Sequence, residues 1–372
     1  MGKKICILQN SLNFGGTDTF VISLCEGLIK DGYKVTVALS IDKEAAVPRL
    51  NDLQATGANT VWTCSLRSFK AKLRHFFLLY KELKKDKYDA FQANIDLFNG
   101  PNMFIAWLAG IPIRECHSHN SQQGRELQIG RKMSIKLYQN IMRWLCWTFS
   151  NRRSGCSEIA MDFLFGNRWK KDAYSRVVHN GVDFSEFRRP FDRNEKKKEL
   201  GLKKKYNICT VGRIAYQKNP IFIVDVMNEL FSMREDCDFV WVGTGDMENL
   251  IREKIHAYDI SDRMHMLGQR SDVSEILRCT DMFFLPSYFE GLAIVLIEAQ
   301  AAGLPCVTAT TTPPESDCGS LLYLPLEKSA HFWAQKLSDI LDKKIELKVS
   351  PEKLDKYSED NMIKEMEELL FK

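Results

Sequence analysis

Short runs of apolar residues alternate along the chain with longer stretches in which apolar positions recur every three or four residues. The runs predict β-strands and the stretches predict helices, and this alternation is typical of parallel sheets joined by right-handed helical crossovers. In the first half the pattern predicts strands at Lys4–Gln9, Lys34–Leu39, Asn59–Thr63, Tyr88–Ala93, Ile111–Cys116 and Arg153–Cys156, with helices near 18–30, 66–86, 97–109 and 131–150. In the second half it predicts strands at Asn207–Val211, Asp238–Val242, Arg263–Leu267, Met282–Pro286 and Pro305–Thr308, with helices near 219–234, 246–258, 272–279 and 294–302. The sequence therefore predicts an α/β protein with two doubly wound sheets.

A polar run without apolar periodicity separates the two halves. Phe184–Lys198 contains Pro190 and predicts a linker between a domain at 1–183 and a domain at 184–351. Two such domains would enclose a cleft lined by the carboxyl ends of both sheets, where ligands of open α/β folds bind. The last segment, 352–372, predicts an amphipathic helix that joins the N-terminal domain, with one apolar face made by Met362, Met366, Leu369 and Leu370.

Composition narrows the class of protein. Of the 372 residues, 45% are hydrophobic and 27% are charged, which is typical of a globular protein and excludes collagen and long coiled coils. No apolar run approaches the ~20 residues of a membrane span, and the polar start before Ile5 leaves no room for a signal peptide. The eleven cysteines form no C-x-x-C pair, so we interpret them as reduced core residues of a cytosolic protein.

The net positive charge lies in the first half of the chain, because acidic residues are fewer there. Residues 1–180 hold 26 Lys and Arg against 15 Asp and Glu, whereas residues 181–372 hold 26 against 33. Two aromatic-containing stretches supply much of the excess: 66–87 has eight basic residues against two acidic ones, and 125–153 has seven against one. Basic amphipathic helices with aromatic residues are suited to an anionic membrane surface. The same pattern also fits a stripe that packs on the core with a solvated, charged back. No nucleic-acid-binding fold accompanies the charge, so we expect no nucleic acid partner.

The segment after the predicted strand Met282–Pro286 carries the clearest candidate chemistry. A loop there contains Glu290 and Gly291, and a helix begins near Ala293 and brings Glu298 into an otherwise apolar stretch. A buried carboxylate needs a partner, which the hydroxyl groups of a ribose or a sugar would supply. The start of the helix presents free amides and a positive dipole end that suit a phosphate. The alternative is structural: a capping residue and one end of a salt bridge.

Basic residues and histidines follow other predicted strands. Arg213 and Lys218 come after Asn207–Val211, five residues apart, where they could bracket a diphosphate. His117 and His119 follow the strand that ends at Cys116; a metal site is not expected, because no third ligand stands nearby.

A double glycine occupies the first strand-to-helix turn. Gly15 and Gly16 leave backbone amides open to a phosphate or to an acceptor; the alternative is a simple tight turn, in which a double glycine is common. They are not a dinucleotide fingerprint, because G-x-G-x-x-G is absent there.

From about Ile5 to Trp333, the chain resembles the retaining GT-B glycosyltransferases of family 4, in particular bacterial transferases of capsule and exopolysaccharide assembly. Glu290 and Glu298 match the E-x7-E signature of that family, and Asp18 stands where the family more often has Glu. Other segments match in order: Asn13-Phe-Gly-Gly-Thr-Asp18, Glu115-Cys-His-Ser-His-Asn120, His179-Asn-Gly-Val-Asp183, Val211-Gly-Arg-Ile-Ala-Tyr-Gln-Lys218-Asn and Val242-Gly-Thr-Gly-Asp246. The implied architecture is GT-B, two Rossmann-like domains that face each other across a cleft.

The resemblance implies a role for each matching residue. Arg213 and Lys218 would hold the diphosphate of the donor and support its departure, while Glu298 would hold the ribose and Glu290 a sugar hydroxyl. His117 would contact the hydroxymethyl group of the donor sugar, with His119 as the alternative. The implied catalytic set is Arg213, Lys218, Glu290 and His117, and the implied donor-binding set is Glu298, Gly291, Leu292, Gly15, Gly16, Gln269, Arg270 and His119. Gln269 and Arg270 lie where the nucleotide base of the family usually meets the backbone.

The resemblance also implies a reaction. We expect a retaining hexosyltransferase without metal or other cofactor, which moves a sugar from a nucleotide-sugar donor, preferably a UDP-sugar, to a lipid-linked saccharide in the synthesis of cell-surface polysaccharide. We expect it on the cytoplasmic face of the plasma membrane, held there by the basic helices. The alternatives are a nucleotide-sugar epimerase on the same scaffold and a non-catalytic partner subunit of a transferase. An epimerase would need no lipid surface, so the basic helices count against it. The intact motif residues count against the partner subunit.

Overall fold

The computed structural model describes residues 2–13, 15–120 and 133–372. The chain divides into two compact units, of which unit 1 comprises Met1–Gly181 with Glu359–Lys372 and unit 2 comprises Val182–Ser358. The sequence pattern places the boundaries at 183/184 and 351/352, two and seven residues from those of the structure. Each unit is built on its own parallel sheet, as the alternation of runs predicts.

Unit 1 contains a seven-stranded sheet. Its strands are β1 (Lys4–Gln9), β2 (Lys34–Leu39), β3 (Asn59–Trp62), β4 (Ala90–Ala93), β5 (Ile113–Ser118), β6 (Arg152–Gly155) and β7 (Ser175–Val177). They run in the order β3-β2-β1-β4-β5-β6-β7, and all neighbours are parallel. The helices between them are α1 (Gly16–Lys30), α2 (Leu50–Ala55), α3 (Phe69–Asp86), α4 (Asn99–Leu108), α5 (Met133–Phe149) and α6 (Glu158–Phe165). The order reverses at β1, which is the switch point where the carboxyl ends of neighbouring strands open to a ligand.

Helices cover both faces of this sheet, which explains why β1 and β2 are nearly continuous apolar runs rather than alternating ones. On β1, Ile5 and Ile7 pack with Phe20 of α1 on one face. Cys6 and Leu8 belong to the core on the other face, together with Leu79 of α3 and Met103 of α4. The strict alternation of side chains along a strand divides one apolar run between two cores.

Unit 2 contains a six-stranded parallel sheet. Its strands are β8 (Tyr206–Val211), β9 (Cys237–Val242), β10 (Met264–Gly268), β11 (Met282–Leu285), β12 (Cys306–Ala309) and β13 (Leu321–Leu324), in the order β10-β9-β8-β11-β12-β13. Its helices are α7 (Arg193–Glu199), α8 (Pro220–Met233), α9 (Glu248–Ala257), α10 (Val273–Cys279), α11 (Ile294–Ala301), α12 (Ala330–Leu341) and α13 (Pro351–Asp355). The order again reverses between β8 and β11, so the loops after these two strands are the ones that a ligand of this unit would meet.

The C-terminal segment is interrupted, contrary to the single helix expected at 352–372. Helix α13 ends at Asp355 in unit 2, and α14 (Glu359–Phe371) begins after three residues and belongs to unit 1. The apolar face of α14 is buried in the unit 1 core through Met362, Met366 and Leu370. The packing is close, because a Cβ at Gly27 of α1 would lie 2.4 Å from the Ile363 side chain. Glycine is therefore required where α1 crosses α14.

Six further strands and helices lie where the sequence pattern predicts none. The helix α7 begins inside the expected linker at an Asp192 cap, whose carboxylate accepts the amides of Asn194 and Glu195. The edge strands β7 and β13 and the helices α2, α6 and α12 are also additional. Among the described residues, none of the helices combines the length and the apolar character that crossing a bilayer requires.

Candidate functional site

Three loops of unit 2 interlock where β8, β9 and β10 end. The amide of Gly243 donates to the carbonyl of Gly268 at 2.7 Å, and the amide of Ile214 donates to the carbonyl of Thr244 at 3.1 Å. The backbones approach so closely that a Cβ at Gly243 would lie 2.2 Å from the Gly212 oxygen. A side chain would clash at this contact, so the glycines after β8 and β9 allow the two loops to pack directly against each other.

The loop after β8 is also tied to the loop after β11. The backbone carbonyl of Gln217 accepts a hydrogen bond from the amide of Tyr288 at 2.9 Å, and Gln217 Nε2 donates to the carbonyl of Phe289 at 3.1 Å. The rings of Tyr216 and Tyr288 stack with their centroids 4.8 Å apart. The cationic loop and the acidic loop that the sequence singles out are thereby held next to each other.

Lys218 and Glu290 form an ion pair across these loops. The Lys218 Nζ atom lies 2.7 Å from Glu290 Oε1, and only 6% of the Glu290 side chain is exposed. The lysine stem lies over Gly212, where a Cβ would be 3.1 Å from Lys218 Cε. Gln217 Nε2 also approaches Glu290 Oε2, at 3.4 Å. Both residues were expected to bind the donor, and the structure adds that they form an ion pair with each other.

Arg213 differs from Lys218 in having no partner among the described residues. Its guanidinium is exposed, and no described residue forms an ion pair or a hydrogen bond with it. Its backbone is fixed between Gly212 and Ile214, in the braced loop after β8. A cation held by a rigid backbone, with its donors unused, is suited to an anionic ligand.

Glu298 is a half-buried carboxylate on the second turn of α11. No described residue accepts or donates a hydrogen bond to its side chain, and no ion pair reaches it. Burial, with a smaller contribution from the negative charge of Glu186, raises the pKa of Glu298 to about 7. The structure therefore excludes the structural alternative of a salt bridge within the described chain and leaves this group for a ligand that offers hydroxyl donors.

The loop before α11 carries two further candidates, Gly291 and Leu292. Both residues are buried. No described group accepts the amides of Leu292 and Ala293, which precede the first residue of α11. Unused amides at a helix start attract an anion.

Gln269 and Arg270 follow β10, as expected, but their side chains differ in availability. Arg270 forms ion pairs with Asp272 at 2.6 Å and with Glu199 at 2.7 Å, and these hydrogen bonds raise its pKa. Gln269 is exposed. The Arg270 guanidinium is therefore committed to the protein, and any contact with a nucleotide base at this position falls to the backbone or to Gln269.

In unit 1, the double glycine forms the start of α1. Gly15 caps the helix in an extended conformation with a φ of −111°, which other residues also adopt, and Gly16 is the first helical residue. The Gly15 amide donates to Asp18 Oδ2 at 3.2 Å, and Gln9 Nε2 donates to Asp18 Oδ1 at 2.8 Å. Burial raises the pKa of Asp18. One of the expected phosphate-binding amides is thus already used by the capping carboxylate.

His117 and His119 lie together at the carboxyl end of β5. Their ring centroids are 4.4 Å apart, and the Phe20 ring stacks on His117 at 4.6 Å. His119 Nε2 donates to the Asn94 side-chain oxygen at 2.9 Å. Burial lowers the pKa of both rings, that of His119 to about 3, so both are neutral.

Each ring also keeps one unused nitrogen. Buried Nε2 of His117 and buried Nδ1 of His119 have no hydrogen-bond partner among the described residues. A buried orphaned nitrogen favours a ligand that supplies the missing hydrogen bond. This feature separates the pair from His75, whose two nitrogens are both bonded, to Thr63 and Asn102.

The basic helices present most of their large apolar side chains to solvent, whereas Phe76 and Trp147 are half-buried. On α3, the core side consists of His75, Leu79 and Leu83, whereas 75% of Phe69 and 66% of Phe77 are exposed. On α4 and α5, which pack in series with α3, the exposed large apolar residues are Trp107, Leu108, Met133, Leu137, Tyr138, Ile141 and Trp144. The alternative of a core-facing aromatic stripe is therefore wrong for α3. Residues 125–132 of the second basic stretch lie outside the described residues.

Comparison with known protein families assigns both halves of the chain. The family described as "Glycosyltransferase Family 4" matches residues 14–186, and the one described as "Glycosyl transferases group 1" matches residues 192–358. An uncharacterized glycosyltransferase of Haemophilus influenzae is 31% identical, over 84% of this chain and 82% of its own length. The UDP-Gal:alpha-D-GlcNAc-diphosphoundecaprenol alpha-1,3-galactosyltransferase of Escherichia coli is 30% identical, over 66% of this chain and 64% of its own.

Solved structures share the fold over the whole chain. HepE of Anabaena, crystallised with UDP and glucose, superposes with a TM-score of 0.81 over 99% of both chains, at 15% sequence identity. At this identity the likeness concerns the fold alone.

Proposed function

Because the chain belongs to the family 4 glycosyltransferases with the GT-B fold, we propose that it transfers a sugar from a UDP-sugar to a lipid-linked saccharide, with retention of the anomeric configuration. The observation that carries the proposal is the set of charged groups around the braced loops of unit 2: the Lys218–Glu290 pair, with Arg213 and Glu298, whose side chains have no partner among the described residues. A nucleotide diphosphate-sugar offers one complementary group to each of them.

Unit 2 binds the donor in this proposal. Arg213, Lys218 and the amides of Leu292 and Ala293 surround the diphosphate, and their positive charge stabilises the negative charge that develops as UDP departs. Glu298 accepts the two hydroxyl groups of the ribose, which satisfies a carboxylate that no described residue satisfies. Support for UDP comes from the name of the E. coli relative, which uses UDP-Gal, and from the UDP in the HepE structure.

The Lys218–Glu290 ion pair exchanges its partners when the donor binds. When the diphosphate arrives, it replaces the Glu290 carboxylate as the partner of Lys218, and Glu290 turns to a hydroxyl of the donor sugar. In the transfer step, the bond between the anomeric carbon and the β-phosphate oxygen breaks, and the acceptor hydroxyl oxygen bonds to that carbon on the same face. The hydroxyl proton passes to the departing phosphate oxygen. In unit 1, His117 binds a sugar hydroxyl through its unused nitrogen, with His119 beside it.

We assign the acceptor to the lipid-linked saccharides, because the E. coli relative is named for an undecaprenol-linked one. The exposed aromatic face of α3, with its eight-to-two excess of basic over acidic residues in 66–87, supports docking on an anionic membrane that contains such an acceptor. Each basic residue near an anionic surface contributes about 1 kcal/mol, and each buried aromatic side chain adds about 1.5–3 kcal/mol.

The donor site is tested by calorimetric titration with a panel of UDP- and GDP-sugars. We expect one UDP-sugar to bind the wild type, and Arg213→Ala and Glu298→Ala to weaken binding at least ~10-fold, which is the loss of one charge-assisted hydrogen bond. Arg252→Ala is the matched control, because Arg252 is an exposed residue of unit 2 whose ion-pair partner is Glu248. A wild type that binds none of the sugar nucleotides would refute the donor site and favour a non-catalytic partner subunit.

The reaction is tested with the donor that binds and a diphosphoundecaprenol-linked sugar. Product in which the new bond keeps the donor configuration supports the proposal. Conversion of the donor to its epimer without an acceptor would instead establish the epimerase.

Membrane docking is tested by co-sedimentation with vesicles. We expect wild type to bind vesicles with anionic lipid and not zwitterionic ones, and Phe69→Glu with Phe77→Glu to reduce binding at least ~10-fold. Leu250→Glu is the control, since Leu250 is an exposed apolar residue of unit 2. Equal binding by all variants would overturn the assignment of α3.

A further inference from the structure

A chain of buried hydrogen bonds lies behind the ring of His117. Ser154 Oγ on β6 lies 2.6 Å from His117 Nδ1, and it donates to Glu115 Oε1 at 2.5 Å. His117 and Ser154 are register partners on the paired strands β5 and β6. Glu115 stands two residues before His117 on β5, so it points to the same face of the sheet. All three side chains are completely buried.

The hydrogens in this chain determine which nitrogen of His117 is protonated. Above its pKa of about 8, Glu115 is ionised and can only accept, so the single hydroxyl hydrogen of Ser154 is used in the bond to Glu115. The contact between Ser154 Oγ and Nδ1 therefore needs a hydrogen on Nδ1. A neutral ring that carries its hydrogen on Nδ1 presents a lone pair at Nε2, and this is the nitrogen without a partner among the described residues.

The ring is also prevented from turning. Phe20 stacks on it with an interplanar angle of 29°, and the His119 ring lies against it. The hydrogen bond that His117 Nδ1 donates to Ser154 Oγ determines the remaining rotation about the side chain. Sequence reasoning missed Glu115 and Ser154, since 39 residues separate them and neither belongs to the residues to which the family resemblance assigns a role.

Burial of the Glu115 carboxyl group costs free energy of desolvation that a purely structural role does not explain. No described cation forms an ion pair with it, and burial raises its pKa to about 8. An apolar side chain of similar size would fill the space at a lower cost in desolvation. The carboxyl group is therefore explained by its bond to Ser154 rather than by packing.

We propose that Glu115 and Ser154 are positioning residues that fix the ring and the tautomer of His117, so that Nε2 is held as an acceptor for a hydroxyl group of the sugar substrate. The part that concerns the sugar rests on the proposed function. The part that concerns the tautomer stands on the geometry of the three residues.

The tautomer is measured by NMR on full-length protein labelled with ¹⁵N-histidine, one pH unit above the pKa of about 8 that burial gives Glu115. The seven histidines give few signals, and His117→Gln identifies those of His117. We expect a protonated Nδ1 and a bare Nε2 in wild type. In Glu115→Met the Ser154 hydroxyl loses its acceptor and donates to Nδ1, which moves the hydrogen to Nε2. A His117 that keeps the same tautomer in this variant would overturn the proposal.

Two controls guard against a merely unfolded variant. His75 is equally buried and has both nitrogens bonded, so its signals must stay unchanged in each variant. Ser154→Ala removes one oxygen atom only and is the milder test, because it breaks the contact with Nδ1 and must abolish the single fixed tautomer. An unchanged His117 spectrum in folded Ser154→Ala would likewise overturn the proposal.

Measurements of transferase activity separate the tautomer of His117 from its role in sugar transfer. If wild type transfers sugar, we expect Glu115→Met to lower kcat ~10-fold or more while UDP affinity, a property of unit 2, stays within twofold. Normal transfer by a variant whose tautomer has changed would overturn the positioning role. A wild type that transfers no sugar but shows the expected tautomer shift would refute the proposed function and leave the tautomer assignment in place.

Discussion

Replacing Lys218 by methionine removes the cation that lies 2.7 Å from the Glu290 carboxylate. Methionine keeps most of the aliphatic stem that lies over Gly212, so packing changes little and the effect reports on charge. The reverse change, Glu290→Gln, keeps a side chain that can still bond to Gln217. The two substitutions therefore disturb the same pair from opposite sides.

The magnitude follows from burial. At 2.7 Å and an effective dielectric constant of about 20, the attraction between unit charges is about 6 kcal/mol, most of which offsets the desolvation of the pair. Side-chain exposures of 17% for Lys218 and 6% for Glu290 make the carboxylate the costlier charge to leave without its partner. We expect Lys218→Met to lower the free energy of unfolding of unit 2 by about 2–4 kcal/mol, and Glu290→Gln by about 1 kcal/mol. The double variant should recover at least ~1 kcal/mol relative to Lys218→Met.

Native-state hydrogen exchange read by mass spectrometry is the suitable assay, because a protein with two units does not unfold in one step. Peptides from β8 and β11 report on unit 2, and peptides from β1 and β4 of unit 1 serve as the internal control. Equal losses of about 1 kcal/mol or less in the two single variants, without recovery in the double variant, would refute the argument that the pair is buried and mutually neutralising.

The same variants must behave differently toward the donor. Lys218→Met loses a cation for the diphosphate and should bind UDP ~10-fold or more weakly, the value of one charge-assisted hydrogen bond. Glu290→Gln releases Lys218 from its carboxylate, so UDP affinity should stay equal or rise while sugar transfer falls. Weaker UDP binding by Glu290→Gln would contradict the proposed exchange.

Further predictions concern titration and backbone contacts. The pKa of Glu298, about 7, is raised above its ordinary value of 4.5, so the folded state binds a proton that the unfolded state has already lost. The free energy of unfolding should therefore fall as pH rises from ~4.5 to ~7, by about 1–2 kcal/mol after allowance for partial exposure. Glu298→Gln should remove this slope in pH-dependent urea unfolding, and a parallel slope in the variant would assign it to another group. UDP-sugar affinity should rise over the same interval, because the ionised carboxylate is the better acceptor, whereas a flat titration profile would argue against ribose binding by Glu298. Gly245→Ala should lower the thermal stability of unit 2 by more than ~2 kcal/mol, since its Cβ would lie 2.2 Å from the Ile214 oxygen. Gly201→Ala, with a φ of +73° but open space, should cost only about 1 kcal/mol, and equal costs would mean that the loop brace adapts.

The sequence pattern was sufficient where burial and periodicity coincide. Strands β1, β2 and β8 are apolar runs buried on both faces, and their bounds agree with the prediction within one residue. The edge strand β7 is only three residues long and contains Arg176, so it has no apolar signature. Helix α7 is polar throughout and is held by ion pairs of Lys196 with Asp272 and Glu275, contacts that no local pattern reveals.

The candidate site shows the same limit. Lys218 and Glu290 were each recognised from a motif, but their mutual pairing depends on the order β8-β11 in the sheet, which places chain segments 72 residues apart side by side. Arg270 is engaged by Glu199, a residue of the unpredicted helix α7. Motifs identify which residues carry chemistry, whereas the resting partners of those residues come from tertiary packing.

Helix α14 determines when unit 1 can complete its core during synthesis. The first 181 residues leave the ribosome without Met362, Met366 and Leu370, so the apolar surface of α1 that these residues cover stays open until the last segment of the chain emerges. Unit 2 is continuous in the chain and can complete its core earlier. We therefore expect the N-terminal unit to be the last to complete its core.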